Sequence, residues 1–135
     1  MVIAFHLKDL PSNYIGVVLS RWLRSLRNLN EEFKQMDATS YFYRHELFLK
    51  EQLLPRPDVI IKFLVLKNDP DIVFGWCCYE NDTLHYIHIQ EPYRNQRRSY
   101  DLLPKNIRRF THRTKHWNMK FWKRNMKHLI YDPYL

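Results

Sequence analysis

Only two glycines, Gly16 and Gly75, and two cysteines, Cys77 and Cys78, occur in the 135 residues. So little glycine leaves no room for a flexible linker. No low-complexity tract or internal repeat is visible either, and the expectation is a single domain over residues 1–135. No apolar run nears the roughly 20 residues that span a bilayer, so no membrane partner is expected. The opening "MVIAFHLKDLPS" has neither the basic start nor the small-residue cleavage site of a signal peptide, which predicts a cytoplasmic location. The cysteines are neighbours in a predicted strand, so their side chains point to opposite faces and a disulfide between them is not expected. No zinc-ligand spacing, Ser-His-Asp set or pair of carboxylates stands out, and no metal site is expected.

Acids are scarce in one stretch. From Arg94 to His128, twelve lysines and arginines accompany one acid, Asp101, a net charge of +11; the rest of the chain carries −3, and the whole +8. Such segregation fits a polyanionic partner: nucleic acid, a phosphorylated cofactor or an acidic protein face. The alternative is a solvated basic surface that serves solubility.

The chain is 45% hydrophobic and 16% aromatic, ample material for a core. "MVIAFHL" reads as a first strand. Ser12, after Pro11, is a candidate helix cap. Ile15, Val18, Leu19, Trp22, Leu23 and Leu26 then recur at helical spacing, with Arg21, Arg24 and Arg27 off that stripe. A second helix is predicted from about Thr39 to Leu54, ended by Pro55 and Pro57. "DVIIKFLVLK", "IVFGWCCYE" and "TLHYIHIQ" read as three strands of an antiparallel meander, with turns at Asn68–Asp71 and at Asn81-Asp82. A short helix over Gln96 to Leu103, a strand in "IRRFTHRT", a helix in "KHWNMKFWKRNMKHL" and a last strand in "LIYDPYL" complete the order β-α-α-β-β-β-α-β-α-β. That order argues for an α+β fold with helices flanking a mixed, mostly antiparallel sheet.

This order, together with "DPDIVFGW" (Asp69 to Trp76), "LHYIHIQEPYR" (Leu84 to Arg94), "THRT" (Thr111 to Thr114) and the closing "YDPYL", resembles the GNAT fold of Gcn5-related N-acetyltransferases. Within it, the chain is most similar to small GNAT-like proteins of tailed bacteriophages. The likeness is carried by motifs in the second half of the chain and by element order in the first. It implies acetyl-CoA as cofactor, an amine as acetyl acceptor, and a place in the host cytoplasm or the virion.

In that family the fourth strand runs through a bulge into a loop patterned R/Q-x-x-G-x-G/A, whose backbone N–H groups and following helix N-terminus hold the cofactor pyrophosphate. Arg94 matches the first position of the pattern, while Arg97 and Ser99 stand where the two small residues belong. The resemblance therefore assigns Arg94, Asn95, Gln96, Arg97, Arg98 and Ser99 to the pyrophosphate, with guanidinium groups where the family has glycine. Two outcomes follow: Arg97 and Arg98 supply charge-assisted bonds to phosphate, or the Arg97 side chain fills the pyrophosphate space and cofactor binding is lost.

Acetyl transfer needs a base for the amine proton and an acid for the leaving thiolate. His85 and His88 on the third meander strand are the candidate bases, beside Glu80. Strict alternation puts His85 with Ile87 on one face and Tyr86 with His88 on the other; the structural alternative is a packed or hydrogen-bonded histidine. "NMKFWKRN", where the family's acid is sought, has no tyrosine, leaving Tyr131 and Tyr134. A non-catalytic reading stands beside the enzymatic one: a GNAT-fold phage protein binding DNA, or a phage or host protein, through Arg108, Arg109, Arg113, Lys115, Lys120, Lys123 and Arg124. Phe110, His112, His116, Trp117, Phe121 and Trp122 interleave those charges and are either base-stacking surfaces or the inner face of a helix.

Overall fold

The structure is a computed structural model that describes residues 2–6, 9–90, 102–112 and 129–134. Within them, six strands form one sheet in the order β1 to β6: β1 (Val2–His6), β2 (Val59–Leu66), β3 (Asp69–Glu80), β4 (Thr83–Ile89), β5 (Arg109–Phe110) and β6 (Ile130–Tyr131). β1 to β4 are antiparallel neighbours, whereas β4–β5 and β5–β6 are parallel pairs. The α+β class and the β2–β4 meander are as the sequence predicts. The pyrophosphate-loop candidates Arg94–Ser99, both predicted C-terminal helices apart from Leu102, Leu103 and Leu129, and the cations Arg113, Lys115, Lys120, Lys123 and Arg124 lie outside the described residues.

Between β1 and β2 the chain is helical. α1 (Ser12–Leu29) buries Tyr14, Val18, Leu19, Trp22, Leu23 and Leu26, the predicted stripe with Tyr14 in place of the half-buried Ile15. Ser12 is the first helical residue rather than the cap; Pro11 holds the cap position and its carbonyl accepts from the Tyr14 N–H at 2.9 Å. A short α2 (Glu31–Gln35), not foreseen, starts where Asn30 accepts from the Phe33 N–H. The predicted second helix is two pieces. α3 (Ala38–Leu47), capped by Asp37 on the Ser40 N–H, passes into a π-helical turn, Phe48–Leu53, that buries Leu49 and Leu53. The wider turn was invisible in the sequence because an apolar stripe does not separate a 3.6-residue from a wider period over one turn.

The sheet is covered on both sides. Helices α1 and α3 pack on one face with Ile61, Phe63 and Val65 of β2, Val73, Trp76 and Cys78 of β3, and Tyr86 of β4. The other face buries Leu64, Phe74, Cys77 and Leu84 beneath Leu102, Ile107, Phe110 and Leu129. Cys77 and Cys78 are buried free thiols on opposite faces, and burial pushes Cys77 up to about 12 and raises Cys78. They are structural rather than nucleophilic.

The hairpins decide what faces where. Asn81, at φ 53°, turns β3 into β4 in the left-handed region that asparagine tolerates. The β2–β3 turn is Lys67-Asn68, one residue pair earlier than predicted, because Asp69 already pairs with Leu66. β3 carries a bulge at Phe74: Leu64 pairs with Gly75 and Val65 with Val73, so Phe74 and Gly75 both turn to the Leu64 face. That crowding explains the glycine. A Cβ on Gly75 would lie 2.8 Å from Ile89 Cδ1, 3.3 Å from the His88 carbonyl oxygen and 3.3 Å from Leu64 Cδ1. Gly75→Ala is expected to destabilise the fold by roughly 1–3 kcal/mol, since the backbone carbonyl cannot swing away as a side chain can. Urea midpoints of the two proteins measure it; an unchanged midpoint would show that the β3–β4 seam is looser than these distances.

Candidate functional site

Two features of β4 build the site. The first is a bulge. Cys78 pairs with Tyr86, but Tyr79 pairs with Leu84, so His85 is an extra residue in β4. Leu84 and Tyr86, two apart, consequently point to opposite faces, into different core clusters. Alternation therefore fails here. His85 does not share the face of Ile87, as expected; it joins Glu80 on the helix-covered side. The second feature is a fork. β5 pairs with β4 only at Thr83↔Arg109 and Leu84↔Phe110, closed by the Thr111 N–H on the Leu84 carbonyl at 3.1 Å. β4 runs on to Ile89, five residues past its pairing with β5.

A chain of hydrogen bonds crosses the apex of the fork. Arg56 Nη1 donates to Glu80 Oε1 at 3.1 Å. The same oxygen lies 3.2 Å from His85 Nε2, His85 Nδ1 lies 3.0 Å from Thr111 Oγ1, Thr111 Oγ1 lies 2.9 Å from His112 Nδ1, and His112 Nε2 lies 3.1 Å from His45 Nε2 of α3. With all three imidazoles neutral, the form their burial favours, one set of donors satisfies every bond. The Glu80 carboxylate, held by Arg56, only accepts. His85 therefore donates from Nε2 and accepts at Nδ1 from the Thr111 hydroxyl. Thr111 accepts from His112 Nδ1–H, and His112 Nε2 accepts from His45 Nε2–H. Every bond then points toward Glu80.

Burial agrees with that neutrality. Desolvation lowers His45 from 6.5 to about 4 and pushes His112 well below its ordinary value, helped by the nearby imidazoles of His45 and His85. His85 is lowered by desolvation against the opposing pull of Glu80. Aromatic rings enclose the network. Trp22 stacks on Tyr86 at 5.2 Å and meets His112 edge-on at 5.1 Å, Trp76 lies 5.3 Å from Trp22, and Tyr41 stacks on His45 at 5.7 Å. The Tyr86 hydroxyl is bonded to Ser25 Oγ at 2.6 Å.

The candidates now have places. His85 is 1% exposed and fully bonded, so it positions Thr111 and cannot itself touch a substrate. His88 is half-buried, beyond the β4–β5 pairing, with its ring 6.4 Å from Trp76. Arg108 and Arg109 are exposed, with Lys105 exposed nearby. Arg21, predicted to lie off the buried stripe, instead reaches the sheet: its Nη1 donates to the Val73 carbonyl at 2.7 Å, and the Gln90 amide oxygen accepts from both terminal nitrogens at 3.1 and 2.7 Å. Sequence reasoning missed His45 and gave Thr111 and His112 no part in a network. The one legible signal was the aromatic face of Tyr41 and His45 on α3 and Phe48 at the start of the π-helical turn; contact with His112, 67 residues later, has no local trace.

Fold and site together define an α+β protein with helices on one face of a six-stranded sheet, a forked β4–β5 junction and a neutral three-histidine relay at the fork's apex. No family model, curated protein or solved structure matches the chain. Among the described residues no helix is long and apolar enough to cross a membrane, and no cluster of three or more metal-ligating side chains occurs.

Proposed function

We propose that the chain is a GNAT-like protein of the phage kind that moves an acetyl group from acetyl-CoA to an amine at the β4–β5 fork. The fork carries this reading. A meander of antiparallel strands whose last member meets a parallel fifth strand at Thr83↔Arg109 and Leu84↔Phe110 is the sheet arrangement this reading rests on. The residues that follow β4 include Arg94, Arg97 and Arg98, which supply guanidinium groups for the pyrophosphate. In the reaction the amine nitrogen attacks the thioester carbonyl carbon, the C–N bond forms and the C–S bond breaks. The amine proton passes to a base, and the coenzyme thiolate takes a proton. His88 is the base on this reading, being half-buried on β4 past the pairing; His85 and Thr111 fix the apex against which the substrates lie. Calorimetric titration with acetyl-CoA tests it. Binding is expected, weakened by Arg97→Glu and Arg98→Glu, with His88→Ala lowering turnover about 100-fold or more at unchanged cofactor affinity. No heat at millimolar acetyl-CoA removes the reading.

One observation favours a second, non-catalytic reading. Lys105, Arg108 and Arg109 are all exposed, and they begin the described part of the +11 stretch. On this reading the face binds nucleic acid through phosphates, as a virion or host-directed component. Reversing the three charges is expected to weaken duplex DNA binding at least tenfold and to flatten its salt dependence by two to three ion equivalents. Equal binding by the reversed protein excludes this face.

A further inference from the structure

The two sides of the His45–His112 contact are held by different means. α3 and the π-helical turn are anchored by Leu49, Leu53 and Leu54, all fully buried, and by Tyr41, whose hydroxyl donates to the Leu23 carbonyl at 2.6 Å. β5 and β6 are two residues each. β5 is held to β4 by the Arg108 and Arg109 N–H groups on the Asp82 carbonyl, at 2.8 and 3.2 Å, and by Thr111 on Leu84. β6 is held to β5 by Ile130 on Arg108 and Asp132 on Phe110, at 2.9 and 3.0 Å. Ile107, Phe110 and Leu129 also pack on the other face of the sheet, so the imidazole pair joins two short, packed strands to the helical layer.

That joint tolerates few protons. The rings meet Nε2 to Nε2 at 3.1 Å, so one must donate and the other accept. Among the described residues, what faces them is almost uncharged. His45 meets Tyr41, Phe33 and Phe48; His112 meets Thr111, Trp22, Tyr86 and Phe48. The nearest acid in the network, Glu80, is separated from His112 by Thr111 and His85 and is engaged by Arg56. A doubly protonated pair would put two cations in contact with no acid bonded to either ring among the described residues.

We propose that the His45–His112 contact is a proton-sensitive clasp: it holds β5 and β6 on the sheet at neutral pH and releases them as the pH falls toward 5, while β1 to β4 and the helices stay folded. The linkage sets the size. A released histidine takes a proton with its ordinary affinity near pH 6.5, so each one multiplies the open-to-closed ratio by about tenfold per pH unit below that value. Two histidines approach about 100-fold per unit well below pH 6.5, and give about 250-fold between pH 6.5 and 5. Release uncovers Trp22 and Tyr86 and moves Arg108 and Arg109 off the sheet. None of this depends on the acetyl-transfer reading.

Amide hydrogen exchange on the full chain at pH 7.5, 6.5 and 5.5, corrected for intrinsic rates, tests the clasp. The Thr111, Ile130 and Asp132 amides are expected to lose protection about 30-fold between pH 6.5 and 5.5 while β2 and β3 amides keep theirs. His45→Phe should cut that change to about fivefold, and Thr111→Val, which leaves both rings, should keep it steep. Histidine 15N spectra of the unaltered protein should show both rings neutral at pH 7.5, with the proton on His45 Nε2 and on His112 Nδ1. Protection lost equally in β2 and β3, protection independent of pH, an undiminished slope in His45→Phe, or a charged ring at pH 7.5 would each overturn the proposal.

Discussion

Trp22→Ala is expected to destabilise the protein by about 3–5 kcal/mol, a large share of the roughly 5–15 kcal/mol that holds a domain of this size. The indole is fully buried at the point where α1 crosses the sheet, and its ring lies within 5.3 Å, centroid to centroid, of Trp76, Tyr86 and His112. Truncation removes the transfer energy of the largest core side chain and leaves a cavity that three rings, fixed from two strands and a loop, cannot close. Trp22→Phe should cost far less, about 1 kcal/mol. The Trp22 N–H is buried without an acceptor, so phenylalanine removes an unsatisfied donor along with the volume. Urea unfolding followed by circular dichroism gives both values. If the phenylalanine variant were as damaged as the alanine one, the indole N–H would be bonded after all and the packing account would fall.

Acid should unfold the chain steeply, and the sign follows from the relay. His45 is lowered from 6.5 to about 4, and His85 and His112 are also lowered, chiefly by desolvation. The unfolded chain therefore binds protons that the folded chain refuses, and stability falls as the pH drops below about 6.5. His45 alone accounts for about 3 kcal/mol by pH 4, since each tenfold loss of proton affinity on folding is worth about 1.4 kcal/mol. His112, held well below its ordinary value, adds about 1.4 kcal/mol per pH unit while the clasp stays closed, and His85 adds in the same direction. At the alkaline end Cys77, Cys78 and Tyr41 are raised by burial, so unfolding releases protons and stability falls again above about pH 9. Urea stability measured from pH 4 to 10 should peak between about 7 and 8. A double variant, His45→Phe with His112→Phe, should flatten the acid limb to the contribution of His85. An acid limb equally steep in that variant would assign it to other groups.

The fork, the clasp and the acid limb share one cause. The three imidazoles come from α3, β4 and the residue after Thr111; rings rather than carboxylates surround His45 and His112, whereas His85 lies beside Glu80 and is lowered by its burial against that carboxylate's pull. Glu80 ends the chain of bonds at a half-exposed edge, where Arg56 meets it. The same burial that lowers the histidines makes them sensitive to any opening, since an opened imidazole regains its ordinary proton affinity.

Much of this protein was legible in its sequence by itself. The period of α1, the three β-rich runs, the Asn81-Asp82 turn and the absence of any span long enough for a bilayer all follow from residue type and local spacing. The charge imbalance of the C-terminal stretch is likewise a property of the chain before it folds. What the tertiary structure alone decided is which polar groups meet. One extra residue at His85 reversed the alternation of β4, and one at Phe74 made a glycine necessary at position 75; neither bulge leaves a mark in a pattern of period two. His45 and His112 stand 67 positions apart and come within 3.1 Å only because the helical layer and the fork are packed on the same face of the sheet. Local composition sets the backbone's preferences, whereas the contact of distant side chains is set by the register in which the strands close.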